Sequence, residues 1–239
     1  MGEMDLKQLE SEMASGGVSA VLDRLVEGLR QREQYYELFE ALKMRLRYRL
    51  GLPVLNQNLG DDLPEAERLQ LEDGLIDACR EVGMLLLGQG KIREAWMYLR
   101  PVGDSDLVAA ELAKIPVDEN NLEEYVEVAL HEGVAPERGF QLVLEHYGTC
   151  NAITTFEAQM HSKPKPVQQS VAALLVRHLH EELLASVRAD VTQEEQAEPP
   201  ENTLGQIVEG RPWLTADGRY HLDTTHLAST VRFGRLIDD

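Results

Sequence analysis

Turn-forming glycines at the ends of helix-period apolar stripes constrain this chain more than any other feature. Val18, Val21, Leu22, Leu25, Val26 and Leu29 fall at i, i+3, i+4, i+7, i+8 and i+11, one face of a helix with 3.6 residues per turn. Gly17 precedes that stripe. Tyr35, Leu38, Phe39, Leu42, Leu46 and Leu50 repeat the pattern, and Gly51 and Pro53 end it. Residues 52–63 read as a loop. Pro64, followed by Glu65 and Glu67, opens a helix with Leu75, Ile76, Cys79, Val82, Gly83, Leu86 and Leu87 on one face. It stops at Gly88-Gln89-Gly90. A short partner turns Ile92, Ala95, Trp96 and Leu99 inward and ends at Pro101 and Gly103. A small helix is expected over 105–114, closed by Pro116.

The alternation continues downstream. Leu122, Tyr125, Val126, Ala129 and Leu130 mark a helix ended by Gly133. Its partner begins near Pro136, buries Phe140, Val143, Leu144 and Tyr147, and stops at Gly148. Asn151 is the expected N-cap of a helix holding Ile153, Phe156 and Met160. A long helix with Val171, Leu174, Leu175, Leu179, Leu183 and Val187 follows Lys163-Pro164-Lys165-Pro166. The pattern predicts an all-α fold of antiparallel helix pairs over residues 5–188.

Residues 189–203 are acidic and poor in aliphatic side chains, and read as a flexible linker. Residues 204–239 then form a small module. In it, Pro212 to Leu222 is either a hairpin turning at Asp217-Gly218 or an irregular loop. Asp223 or Thr224 caps a last helix, with Leu227, Val231 and Arg235 or Leu236 along it. That helix either docks back as a terminal cap or awaits a successor or a second subunit. Trp213 and Tyr220 add apolar surface that one short helix leaves uncovered, which favours the second outcome. The expectation is little stable contact between residues 204–239 and residues 1–188, with self-association through the module.

Gly90 and Gly133 stand 43 residues apart, a spacing found in two-to-three-helix repeats. The clearest unit runs from Cys79 through Val82, Gly83 and Leu86 to Gly90, then Ala95, Trp96 and Leu99. Over about residues 76–109 it resembles a tetratricopeptide repeat. In that family a small residue on the first helix and an alanine on the second let the helices pack closely. Gly83 and Ala95 occupy those places here, with Gly90 in the turn. Cys79 stands where the family has an aromatic, Leu86 where it has a tyrosine, and Pro101 arrives early. The next unit needs one extra residue after Gly133 to bring Gly139 to the alanine position. The resemblance implies an irregular α-solenoid and a noncatalytic scaffold; an irregular armadillo-type array or a plain helical bundle is the alternative fold. A protein or peptide would bind in a groove lined by the helices of residues 64–160.

Charge narrows the partners. The chain carries 23 Lys and Arg against 42 Asp and Glu, a net charge of −19, which argues against nucleic acid and anionic membranes as ligands. Most of the excess lies in residues 61–163, read as a solubilising surface, with docking of a basic partner as the sharper alternative. Lys43, Arg45, Arg47 and Arg49 form the one basic run. They split into two i, i+4 pairs on different helix faces, so they are expected to pair with nearby acids and the helix C-terminus. No apolar stretch approaches the ~20 residues of a membrane helix, and the first residues lack a secretory pattern. The expectation is a cytoplasmic protein whose two cysteines are reduced. Phosphate-cradling and dinucleotide fingerprints are absent, and no cofactor is expected.

The residues with chemical potential are few. His221, Asp223 and His226 have ligand types that suit zinc or iron. The plainer reading makes Asp223 a helix cap. His178 and Glu182 are an i, i+4 pair on the long helix, with His178 read as a core residue bonded to a backbone carbonyl. His146 and Cys150 are four residues apart across Gly148, and no nucleophile signature surrounds Cys150. Cys79 reads as an apolar filler. The alternative to a scaffold is therefore a metal-dependent or thiol enzyme, sited at the C-terminal His/Asp cluster or at the Cys150 turn.

Overall fold

The computed structural model describes residues 6–55, 63–216 and 223–238, and among these every regular element is helical. The chain divides into two compact units, Met1–Tyr125 and Val126–Asp239.

The first unit contains α1 (Leu6–Gln31), α2 (Tyr35–Arg49), α3 (Glu65–Gly88), α4 (Ile92–Leu99), α5 (Ser105–Leu112) and the start of α6 (Leu122–Val126). Gly17, at φ 69°, kinks α1 where the first apolar stripe begins. Leu22, Val26 and Leu29 of α1 and Tyr35, Leu38 and Leu42 of α2 are buried, as their periodicity requires. Gly51 at φ 70° closes α2, with the Leu52 amide donating to the Arg47 carbonyl at 2.9 Å. Asp104 caps α5 by accepting from the Leu107 amide at 3.1 Å.

Among the first four helices each packs on the next along the chain, α1 on α2, α2 on α3 and α3 on α4. Side chains also join alternate helices. Arg30 of α1 pairs with Glu81 of α3 at 2.5 Å. Phe39 of α2 meets Tyr98 of α4 edge to face at 5.1 Å, and Arg93 of α4 pairs with Glu124 of α6 at 3.5 Å. The basic run is spent on local partners. Arg45 and Arg49 both reach Asp23 at 3.3 Å, and Lys43 reaches Glu40 at 2.9 Å. Arg47 is buried and donates to the Pro53 carbonyl at 2.7 Å.

The second unit continues α6 as a π-helical turn, Glu127–His131, followed by α7 (Pro136–Gln159), α8 (Lys165–Glu195), α9 (Leu204–Glu209) and α10 (Thr224–Asp238). Gly148, at φ 78° and ψ 176°, breaks the helical path inside α7. The restart therefore falls at Gly148. Asn151, the expected cap, lies inside the second segment and donates to the Tyr147 carbonyl at 2.7 Å. Tyr147, expected in the core, is 43% exposed, because the helical register ends immediately after it.

Three expectations for the C-terminal third are corrected. The two compact units meet at 125/126, and residues 190–195, expected in a linker, are the last turns of α8. Val187 and Val191 of α8 share a small core with Ile207 and Leu214, against which Leu183, Leu204 and Trp213 pack. Two of the acids that resemble a solvated linker, Glu195 and Glu201, are ion-pair partners. Arg211, 9% exposed, reaches Glu195 at 2.7 Å and Glu201 at 3.0 Å, while Arg188 donates to the Glu201 carbonyl at 2.6 Å. These bonds raise the Arg211 pKa and hold the Glu201 carboxyl below its ordinary range.

Next, Pro212–Thr215 is a 3-10 turn, not the start of a strand, and proline at its first position suits that geometry. The rest of the expected hairpin, with Tyr220 and His221, lies outside the described residues. Finally, α10 packs along α8 and against α7. Phe233 is buried and stacks on Phe156 at 4.2 Å, and Gln169 of α8 donates to the Leu236 carbonyl at 3.0 Å. Arg232 pairs with Glu157. The last helix therefore has stable contacts with α7 and α8, because its apolar face fits theirs.

Candidate functional site

Two helix hairpins carry the glycines singled out by the sequence, one in each unit. In the α3/α4 hairpin the Leu86 carbonyl accepts from the amides of Gln89 at 3.0 Å and Lys91 at 3.1 Å, and Gly90 turns the chain at φ 76°. Gly83 is buried against α4. A methyl there would lie 2.5 Å from Leu99 Cγ and 3.2 Å from the Ala95 carbonyl oxygen. Ala95 is fully buried and Trp96 partly so.

The second hairpin joins the π-helical turn to α7. Its Gly133 has φ 86°, and Gly139 faces the preceding helix. A methyl on Gly139 would lie 2.7 Å from Leu130 Cβ and 2.8 Å from the Leu130 backbone nitrogen. The extra residue relative to the first hairpin is taken up in the backbone. Val134 bonds to the Val128 carbonyl and Ala135 to the Ala129 carbonyl, six residues back, where Lys91 reaches five. A π-helical turn is the structure that absorbs one inserted residue in this way.

On the first hairpin α4 has two unlike sides. Ile92, Ala95 and Leu99 are buried, whereas Met97, on the opposite side, is 73% exposed. Tyr36 of α2, 49% exposed, donates its hydroxyl to the Glu94 carboxylate one turn before Met97. That carboxylate pushes the phenol up to about 12. The sequence reading did not single out Tyr36 or Met97. Met97 was visible there as an apolar residue opposite the α4 stripe; the nearness of Tyr36 depends on the packing of α2. Near the turn, a cavity of about 350 Å³ is lined by Met84, Leu87, Ile115 and Pro116, with the Glu111–Lys114 ion pair beside it at 2.6 Å.

The second unit gathers the chemically active residues differently from their sequence grouping. His221 lies outside the described residues. Asp223 caps α10: its Oδ1 accepts from the amides of Thr225 at 2.8 Å and His226 at 3.4 Å, and from the Thr225 hydroxyl. These bonds, led by the Thr225 hydroxyl, lower the Asp223 pKa. His226 turns to α7 instead, with Nε2 2.9 Å from the Cys150 sulfur. Among the described residues no three His, Cys, Asp or Glu side chains are arranged to hold a metal ion.

His178, expected in the core, is only half-buried, and its partners are side chains rather than a backbone carbonyl. Its Nε2 lies 3.2 Å from Thr149 Oγ1 and 3.3 Å from Glu182 Oε1, and the Thr149 hydroxyl donates to Glu182 at 3.1 Å. The carboxylate and the hydroxyl meet the same imidazole nitrogen. A catalytic triad needs them on opposite nitrogens, so this group ties the Gly148 kink to α8. Cys79 is partly buried on α3, and burial pushes its thiol up.

No helix among the described residues is long and apolar enough to cross a membrane. No family model, curated protein or solved structure matches the chain.

Proposed function

We propose that the chain is a noncatalytic interaction scaffold that docks a protein or peptide on the α2/α4 face of its first unit. On this reading the first unit is a short, irregular tetratricopeptide-like solenoid. Support comes from sequential packing of its first four helices and from side-chain links between alternate ones, as stacking of helix pairs would require. The observation that carries the docking face is Met97. It is a large apolar side chain 73% exposed on a helix whose opposite side is fully buried.

Methionine suits such a role because its unbranched, polarizable side chain adapts to the partner surface. Tyr36, bonded to Glu94 one turn before Met97, offers a flat ring, and aromatic and methionine side chains are enriched where proteins meet. The partner would place an apolar side chain over Met97, with Glu94 and neighbouring acids favouring basic groups at the rim.

The experiment is affinity capture from native extract with wild-type chain and with Met97→Glu. The expected result is a discrete protein retained by the wild type and lost with the variant, while both melt at the same temperature. Equal capture by the two would overturn the reading.

A further inference from the structure

We propose that Cys150 is a thiol–disulfide exchange site that accepts small-molecule disulfides, with His226 as its proton partner. The proposal is independent of the α2/α4 docking face.

Cys150 is exposed at the surface, and its sulfur lies 2.9 Å from His226 Nε2. The two residues are 76 apart in sequence, so packing of α10 on α7 creates the pair. Both sides are held in place. His226 stands in the first turn of α10, where Asp223 accepts its amide and adds a carboxylate beside the imidazole. Cys150 stands in the first turn of the helical segment that restarts after Gly148. Adjacent Thr149 is tied to Glu182 and His178 of α8, fixing that turn. Thiol–disulfide exchange runs through the thiolate, and an imidazole nitrogen 2.9 Å from the sulfur is placed to take the thiol proton.

The Cys150 proton moves to His226, and the thiolate attacks one sulfur of an external disulfide RS–SR. That sulfur–sulfur bond breaks as the Cys150–SR bond forms. The leaving RS⁻ takes the proton back from His226 and departs as RSH. One disulfide replaces another, so no further oxidant is needed.

Cys79 supplies an internal comparison. It is partly buried, and its thiol is raised by burial. Reaction of the folded full-length chain with oxidised glutathione at pH 7 tests the proposal, with each site followed by peptide mass spectrometry. The expected result is mixed disulfide at Cys150 at least about tenfold faster than at Cys79 and than on a short unstructured cysteine peptide. His226→Asn should slow Cys150 by about tenfold without altering its exposure, read as unchanged protection of residues 149–159 in hydrogen exchange. A Cys150 rate in the wild type no greater than that of the peptide would overturn the proposal, whatever the variant does. So would an unchanged rate in a folded His226→Asn chain.

Discussion

The two glycine-turned hairpins are built alike and finished differently. In each, a glycine with positive φ turns the chain and a second glycine lets the arms approach closely. In the second unit that hairpin is overlaid: Phe140 and Phe156 of α7 are fully buried, and Phe233 of α10 stacks on Phe156. In the first, α4 keeps Met97 in solvent. The contrast separates two uses of apolar surface. Where the chain supplies its own covering helix, the aromatic residues contribute stability. At Met97 the apolar side chain stays in solvent and contributes little to folding, and on the proposed function it is the side chain a partner would meet.

Substitutions can break or sharpen this contrast. The largest effect is expected from Phe233→Ala, which removes a ring stacked in the overlaid hairpin. Truncation of a buried phenylalanine costs about 3–5 kcal/mol. Denaturant unfolding should register it, together with faster hydrogen exchange across α10; a loss below about 1 kcal/mol would mean that α10 is not a working cover.

Gly139→Ala should come next. Its new methyl meets the Leu130 backbone nitrogen, which cannot move aside, so the cost belongs near the top of the ~1–3 kcal/mol range for overpacking. Gly83→Ala should cost less within that range, because its two closest contacts, at 2.5 and 2.8 Å, are side-chain atoms of Leu99 and the nearest backbone atom, the Ala95 oxygen, is 3.2 Å away. Equal losses at the two glycines would remove the distinction between a backbone contact and a side-chain contact. Smallest of all should be Met97→Glu, within about 0.5 kcal/mol of wild type in unfolding, as for surface positions generally.

Most of the helical layout was legible in the sequence, because an apolar stripe and its terminating glycine are both local signals. Leu22, Leu38, Val82, Leu130 and Leu175 are buried as their spacing implies. What failed was non-local. Glu195 and Glu201 look like linker acids until Arg211, 16 and 10 residues on, is seen to bind both. Tyr147 fits the stripe of α7, but the kink at Gly148 removes the surface it would face. The docking of α10 was misjudged for the same reason: its apolar residues announce that a partner is needed, not which helix provides it. The candidate sites followed this rule too. Asp223 as a cap is local and was legible, whereas the Cys150–His226 pair spans 76 residues and no periodicity reveals it.

The claim that most needs testing is that the uncovered face of α4 is where a partner sits. A photo-crosslinking side chain placed at position 97 addresses it directly, with the same probe at Glu123 as a control whose own side chain is 88% exposed. Irradiation in native extract should give one discrete adduct from position 97 and none from position 123. Equal labelling from both positions, or a position-97 probe that captures nothing while the chain remains folded, would contradict the account.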